Sequence, residues 1–189
     1  EDKVLKEIEK LAPFSKGIVI SDFVYGVITP KILKGLQILS KKYKLLLFGD
    51  LQCSSQVGSI LKFKNYDLLC PNEREARIAL QDKDSGLEQL SMKMIEMTSC
   101  KNLIMKIGSE GFIAYENVNK SETKSQSFPA LSINPIDVTG AGDSLLALIS
   151  TALSLEQSLM STSAIACCMT SLAVEKMGNS SISSDTLKS

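Results

Sequence analysis

The sequence predicts an α/β protein with a mostly parallel sheet covered by helices. Short apolar runs and segments of helical period alternate four times in the first hundred residues. That alternation calls for strand–helix–strand crossovers, and so for parallel strands. The runs end in polar or small residues: Ser21-Asp22, Gly49-Asp50 and Pro71-Asn72. In such sheets ligands bind beyond the carboxyl ends of the strands, so those ends are where chemistry is to be sought. No repeat, low-complexity tract or linker interrupts the pattern, and 189 residues suffice for one domain with a core.

Residues 2–11 carry apolar positions at Val4, Leu5, Ile8 and Leu11, one face of a helix. Gly17 to Ile20 reads as a short buried strand ending at Ser21-Asp22. Thr29-Pro30 opens a helix, with Thr29 as N-cap and Pro30 at the first helical position. Leu45 to Phe48 is a second strand, and a helix is expected near 55–62. Asp67 to Cys70 is a third strand, ended by Pro71. Asn72 caps a helix through about Leu80, and another runs from about Ser85 to Thr98. Asn102 to Ile107, a turn at Gly108 to Gly111, and Phe112 to Tyr115 read as a strand, a glycine turn and an antiparallel return. Residues 116–127 are polar, with strand character at the end. Helices over about 141–153 and 156–177 close the chain. The Met-rich stretch 92–97 and the pair Cys167-Cys168 read as packing.

Composition narrows the function. Lys plus Arg equals Asp plus Glu, 21 against 21, which argues against a nucleic-acid binder relying on bulk charge. Aromatics are 5% of residues and Trp is absent, so a stacking platform for single strands is disfavoured. There is no histidine, which removes Ser-His-Asp and Cys-His catalysis. A general base must then be Asp, Glu, Lys or another group. Five cysteines occur without a C-x-x-C pair, as in a reduced, cytoplasmic protein with buried thiols. The longest apolar stretches are too short to span a bilayer. A dinucleotide-dependent dehydrogenase is disfavoured, because no G-x-G-x-x-G follows the first strand.

The most informative segment is D-V-T-G-A-G-D, Asp137 to Asp143, directly before the apolar run Leu145 to Ile149. Gly140, Ala141 and Gly142 let a backbone approach a ligand closely. The first N–H groups of a helix lack internal partners and sit at its positive end, so they attract an anion. A carboxylate there is also an ordinary dipole-matched cap. With an anion hole beside it, it is equally what phosphoryl transfer to an alcohol requires.

This segment resembles the signature of the ribokinase-like, or PfkB, sugar kinases. Three further segments are similar to that family's motifs, in its order. They are Ser21-Asp22-Phe23-x-x-Gly26-Val27, Pro71-Asn72-Glu73-Arg74-Glu75, and Lys106-Ile107-Gly108-Ser109-Glu110-Gly111. The first and second of these, Ser21 to Val27 and Pro71 to Glu75, also resemble the heptose-phosphate kinase type. The resemblance implies a ribokinase-like three-layer α/β/α fold and ATP-dependent transfer to a sugar or sugar-phosphate hydroxyl. Asp143 would be the base, with the N–H groups from Gly140 to Asp143 as the anion hole. Asn72 and Glu75 would sit by the nucleotide phosphates and Mg²⁺, Glu75 acting through water. Lys106, Gly108 and Gly111 would lie along the ATP site, and Asp137 would shape a monovalent-cation loop. By themselves Asn72 and Glu75 are also a capping box, and Gly108 to Gly111 a plain turn.

The chain departs from the family pattern in places. Family members carry a long segment before the S-D-Y motif, with the first strands, a Gly-Gly sugar-holding segment and a β lid. Here twenty residues precede Ser21. Residues 1–189 are therefore read as a single partial domain, the C-terminal nucleotide-binding portion, present as a fragment or a shortened member. Open strand edges would favour a homo-oligomer. Tyr25 and the Gly49-Asp50-Leu51-Gln52 segment lack lysines usual in the family, while Lys106 replaces a usual threonine. Cys167 or Cys168 falls near a common asparagine. The alternative reading is a non-catalytic nucleotide-binding or scaffolding module derived from a sugar kinase.

Overall fold

The computed structural model describes residues 1–52, 58–119, 122–132 and 135–175. Among the described residues six strands form one sheet in the order β1-β2-β3-β4-β5-β6: β1 Gly17–Asp22, β2 Leu46–Leu51, β3 Leu68–Leu69, β4 Asn102–Lys106, β5 Phe112–Asn119 and β6 Glu122–Phe128. Pairs β1/β2, β2/β3 and β3/β4 are parallel, and β5/β6 is antiparallel. The helices are α1 Asp2–Leu11, α2 Pro30–Tyr43, α3 Glu73–Leu80, α4 Leu87–Thr98, α5 Ala141–Ser154 and α6 Leu159–Val174. No helix among the described residues is long and apolar enough to cross a membrane. The chain divides into two compact units, Glu1–Leu103 and Ile104–Ser189.

In the first unit, register pairs run from Gly17 with Leu46 to Asp22 with Leu51. This sets Asp22 and Asp50 at the carboxyl ends of adjacent strands. Phe48, Leu51, Ile60, Phe63, Tyr66, Leu68, Leu69, Leu90, Met94 and Leu103 are buried in its core. Removing such side chains from water is worth about 1.5–3 kcal/mol each. α2 buries Ile32, Leu36 and Leu39, and its Thr29 cap accepts from the Ile32 N–H at 3.2 Å. Leu5 of α1 lies against Gly35 of α2, where a Cβ would come within 2.5 Å of it.

The expected helices at 2–11, from Pro30 and from Asn72 are present. Three local expectations need correction. The helix near 55–62 is only a 3-10 turn at Ile60–Lys62, residues 53–57 lying outside the described set. The stretch from Gly17 to Ile20 is not buried throughout: Val19 is 50% exposed, on a strand that lies at an edge of the sheet among the described residues. Met92, Met97 and Cys168 are exposed rather than packed, since they fall on the outer faces of α4 and α6. Cys70, Cys100 and Cys167 are buried as expected, and Cys53 lies outside the described residues.

The second unit pairs the β5–β6 hairpin with two helices. Phe112 and Phe128 are register partners and stack at 5.2 Å. α5 packs on α6, burying Leu145, Leu146 and Ile149 of one and Ala166 and Cys167 of the other. The Cys167 Sγ donates to the Pro129 carbonyl at 2.7 Å.

Candidate active site

The start of α5 is shaped by residues with little side-chain bulk. Gly140 sits at the N-cap with φ 80°, a left-handed conformation that suits glycine. Asp137 Oδ1 accepts from the Thr139 N–H at 2.9 Å and closes an Asx turn. The N–H groups of Ile136 and Asp137 donate to the Val174 carbonyl at 2.8 and 3.2 Å, tying the turn to the end of α6. Among the described residues the Gly140 N-cap makes no side-chain cap hydrogen bond. Its first turn therefore keeps the anion-attracting character of an uncapped helix start. Asp143 is the third residue of α5 and is half-buried.

Lys106 ends β4 and reaches this turn. Its Nζ lies 3.4 Å from where a Cβ on Gly142 would stand. A cation thus adjoins the positive end of a helix, an arrangement that suits a bound anion. The turn beyond it is held by the Ile107 N–H donating to the Gly111 carbonyl at 2.9 Å, and the Gly111 N–H to Gly108 at 3.1 Å. Gly111 has φ 99°, and a Cβ there would run into the Phe128 carbonyl oxygen. Gly108 has φ 62°, with nothing within 4 Å of its Cβ position.

These elements surround one cavity of about 450 Å³. Lys106, Gly108, Gly111, Ala141 and Gly142 line it together. Gly140 and Asp143 flank Ala141 and Gly142 on the same turn. Phe112, Pro129, Leu131, Val138, Leu145 and Val174 supply its apolar wall. A wall of that kind with a few convergent polar groups is the usual form of a small-molecule pocket, and the volume suits one. The apolar lining was not read from the sequence. It comes from the segment 129–138 and from one face of α6, whose outer and inner sides are both apolar enough to hide which is which.

Asn72 and Glu75 belong to the first unit. Asn72 Oδ1 accepts from the Glu75 N–H at 2.8 Å, and Glu75 Oε2 accepts from the Asn72 N–H at 2.9 Å, a complete capping box. Glu75 is only 5% exposed. Among the described residues no group of three or more Cys, Asp or Glu could hold a metal ion. One carboxylate without a protein cage fits Mg²⁺, which is commonly held by substrate phosphates and one or two carboxylates. Asp22 is buried and ion-paired with Lys62, and Asp50 Oδ1 accepts from the Leu51 N–H at 3.0 Å. Neither lines the cavity beside α5.

Residues 6–187 match the pfkB family carbohydrate kinase. The chain belongs to that family. The bifunctional protein HldE of Campylobacter jejuni is 30% identical over 184 residues, covering 96% of this chain and 38% of that protein. HldE of Hyphomonas neptunium is 26% identical over 202 residues, covering all of this chain and 38% of that protein. The chain thus spans well under half the length of the curated relatives it matches. Among solved structures, Escherichia coli phosphofructokinase-2 in complex with potassium superposes with a TM-score of 0.79 at 16% identity, over 100% of this chain and 61% of that one. Arabidopsis thaliana ribokinase complexed with ribose and ATP gives 0.72 at 21%, over 94% and 54%. At these identities the structures establish the ribokinase-like fold. Within the pfkB family, the heptose-phosphate kinase type suggested by the motifs agrees with the HldE relatives.

Proposed function

We propose that this chain is the nucleotide-binding portion of a kinase that moves the γ-phosphoryl group of ATP to a sugar or sugar-phosphate hydroxyl. The observation that carries this reading is the shared cavity of Lys106, Gly108, Gly111, Ala141 and Gly142. Its apolar wall suits a nucleobase, and its lysine and uncapped helix start suit phosphates.

In this reading the N–H groups from Gly140 to Asp143 stabilise charge gathering on the transferred phosphoryl group. Asp143 accepts the proton of the attacking hydroxyl. Lys106 adds a positive charge beside the same turn, and Gly108 and Gly111 keep the backbone low along the nucleotide. Mg²⁺, when bound, would neutralise phosphate charge, with Asn72 and Glu75 holding its water shell. Asp137, having closed its own turn, would set the carbonyls of a monovalent-cation loop. Phosphoryl transfer asks little covalent chemistry of the protein, so positioning and electrostatics carry most of the rate.

The test is Asp143→Asn in the full-length protein that contains this chain. Turnover should fall by about 10²–10⁴, the usual worth of a general base, while ATP affinity stays within about twofold. Retained turnover would remove Asp143 from this role. Failure of the unmutated protein to bind ATP would remove the kinase reading itself.

A further inference from the structure

A second cavity, of about 670 Å³, lies at the amino ends of β2, β3 and β4, within the first unit. Four lysines line it: Lys41, Lys44, Lys64 and Lys101. Its one carboxylate, Asp67, is already committed. Asp67 Oδ1 accepts from Lys101 at 2.7 Å, and Oδ2 from the Leu47 N–H at 2.8 Å. Lys64 Nζ donates to the Met97 carbonyl at 2.8 Å. The ammonium groups of Lys41 and Lys44 have no hydrogen-bond or ion-pair partner among the described residues, although their neighbour Lys42 pairs with Glu9 at 2.7 Å. The chain as a whole is neutral, 21 against 21, so the local excess is one of placement, not of composition.

The frame around these lysines is firm. Lys44 ends α2 in the left-handed region, with φ 55°, which fixes where its side chain leaves the backbone. The Ser40 hydroxyl donates to the Leu45 carbonyl at 2.6 Å, and Gln37 Nε2 to the Lys64 carbonyl at 3.2 Å. Four ammonium groups around one concavity repel one another, and a bound polyanion relieves that repulsion.

We propose that this cavity binds a small phosphate compound carrying two or more negative charges. It lies at the opposite strand ends from Asp22 and Asp50, so it is a separate binding site in the first unit. The concave shape and the volume suit a small molecule. Lys41 and Lys44 are its principal contacts.

Calorimetric titration with sodium pyrophosphate at low ionic strength tests this. The unmutated chain should bind saturably, and more tightly than it binds inorganic phosphate. Lys41→Ala/Lys44→Ala should weaken binding about 25-fold, at about fivefold per ion pair lost. Both residues are exposed, so folding should be preserved, as a circular-dichroism melt would verify. Lys34→Ala serves as the control, because it removes an exposed charge of α2 that does not line the cavity and should leave this binding unchanged. Three results overturn the proposal: no saturable binding, binding retained in the double variant, or an equal loss of binding in Lys34→Ala.

Discussion

The amino group of Lys106 stands 3.4 Å from the point a Cβ on Gly142 would occupy, so one substitution separates the needs of folding from those of binding. A methyl at that distance makes ordinary van der Waals contact. Gly142 is the second residue of α5 and needs no left-handed backbone. Gly142→Ala should therefore raise stability by about 0.5 kcal/mol, by restricting the unfolded chain. The same methyl fills the approach a phosphate requires, so ATP affinity should fall by about tenfold or more. Thermal melts and nucleotide titration on the same sample check both signs. An equal loss of both would mean that Gly142 serves packing alone.

Gly111 makes the opposite demand. Its φ of 99° excludes a side chain, and the Phe128 carbonyl oxygen stands where a Cβ would go. Gly111→Ala should destabilise the second unit by about 2 kcal/mol or more, from backbone strain and a contact with rigid backbone. Urea unfolding should show a lower midpoint. Gly108→Ala should cost less, since its Cβ position is open and only the positive φ opposes it.

Tyr66 buries its hydroxyl without a hydrogen-bond partner among the described residues. Burial pushes its phenol well above the ordinary 10.0. The ring packs tilted against Phe63 at 5.1 Å. Tyr66→Phe keeps the ring and removes the unsatisfied oxygen, so it should be neutral or stabilising by up to about 1 kcal/mol. A clear loss of stability in urea would show that the hydroxyl has a partner.

Asp82 links the end of α3 to the start of α4. The Lys93 ammonium, the Ser85 N–H and the Ser85 hydroxyl hold its carboxyl well below the ordinary 3.8. A depressed carboxyl contributes stability that is complete above its unfolded value and lost as pH falls below it. Asp82→Asn should therefore be less stable than the unmutated chain at pH 7. The gap should narrow as the pH is lowered below about 4. Chemical melts at pH 7, 5 and 3 check the trend, and a gap independent of pH would assign the effect to the loop hydrogen bonds alone.

Legibility from the sequence followed the range of the interactions. Thr29-Pro30 and Asn72 with Glu75 were readable because a cap is settled within three residues. The glycines at 108, 111 and 140 were readable because turns demand them, and all three take positive φ. The segment from Gly17 to Ile20 looked wholly buried, and only the strand order reveals that β1 is an edge. The expected helix near 55–62 is a 3-10 turn at Ile60–Lys62 that stops where Phe63 takes up extended backbone, φ -84° and ψ 92°, which the local sequence pattern does not announce. The reach of Lys106 to Gly142 joins residues 36 positions apart, beyond any local pattern.

The reciprocal cap at the start of α3 couples two equilibria through one carboxylate. Glu75 cannot swing away from the Asn72 N–H without leaving a helix donor unsatisfied. A ligand that recruits Glu75 by displacing it must therefore fray the first turn of α3, and its apparent affinity is reduced by that cost. A ligand that recruits Glu75 in place should instead slow amide exchange across Glu73 to Ala76, turning local helix dynamics into a reporter of occupancy.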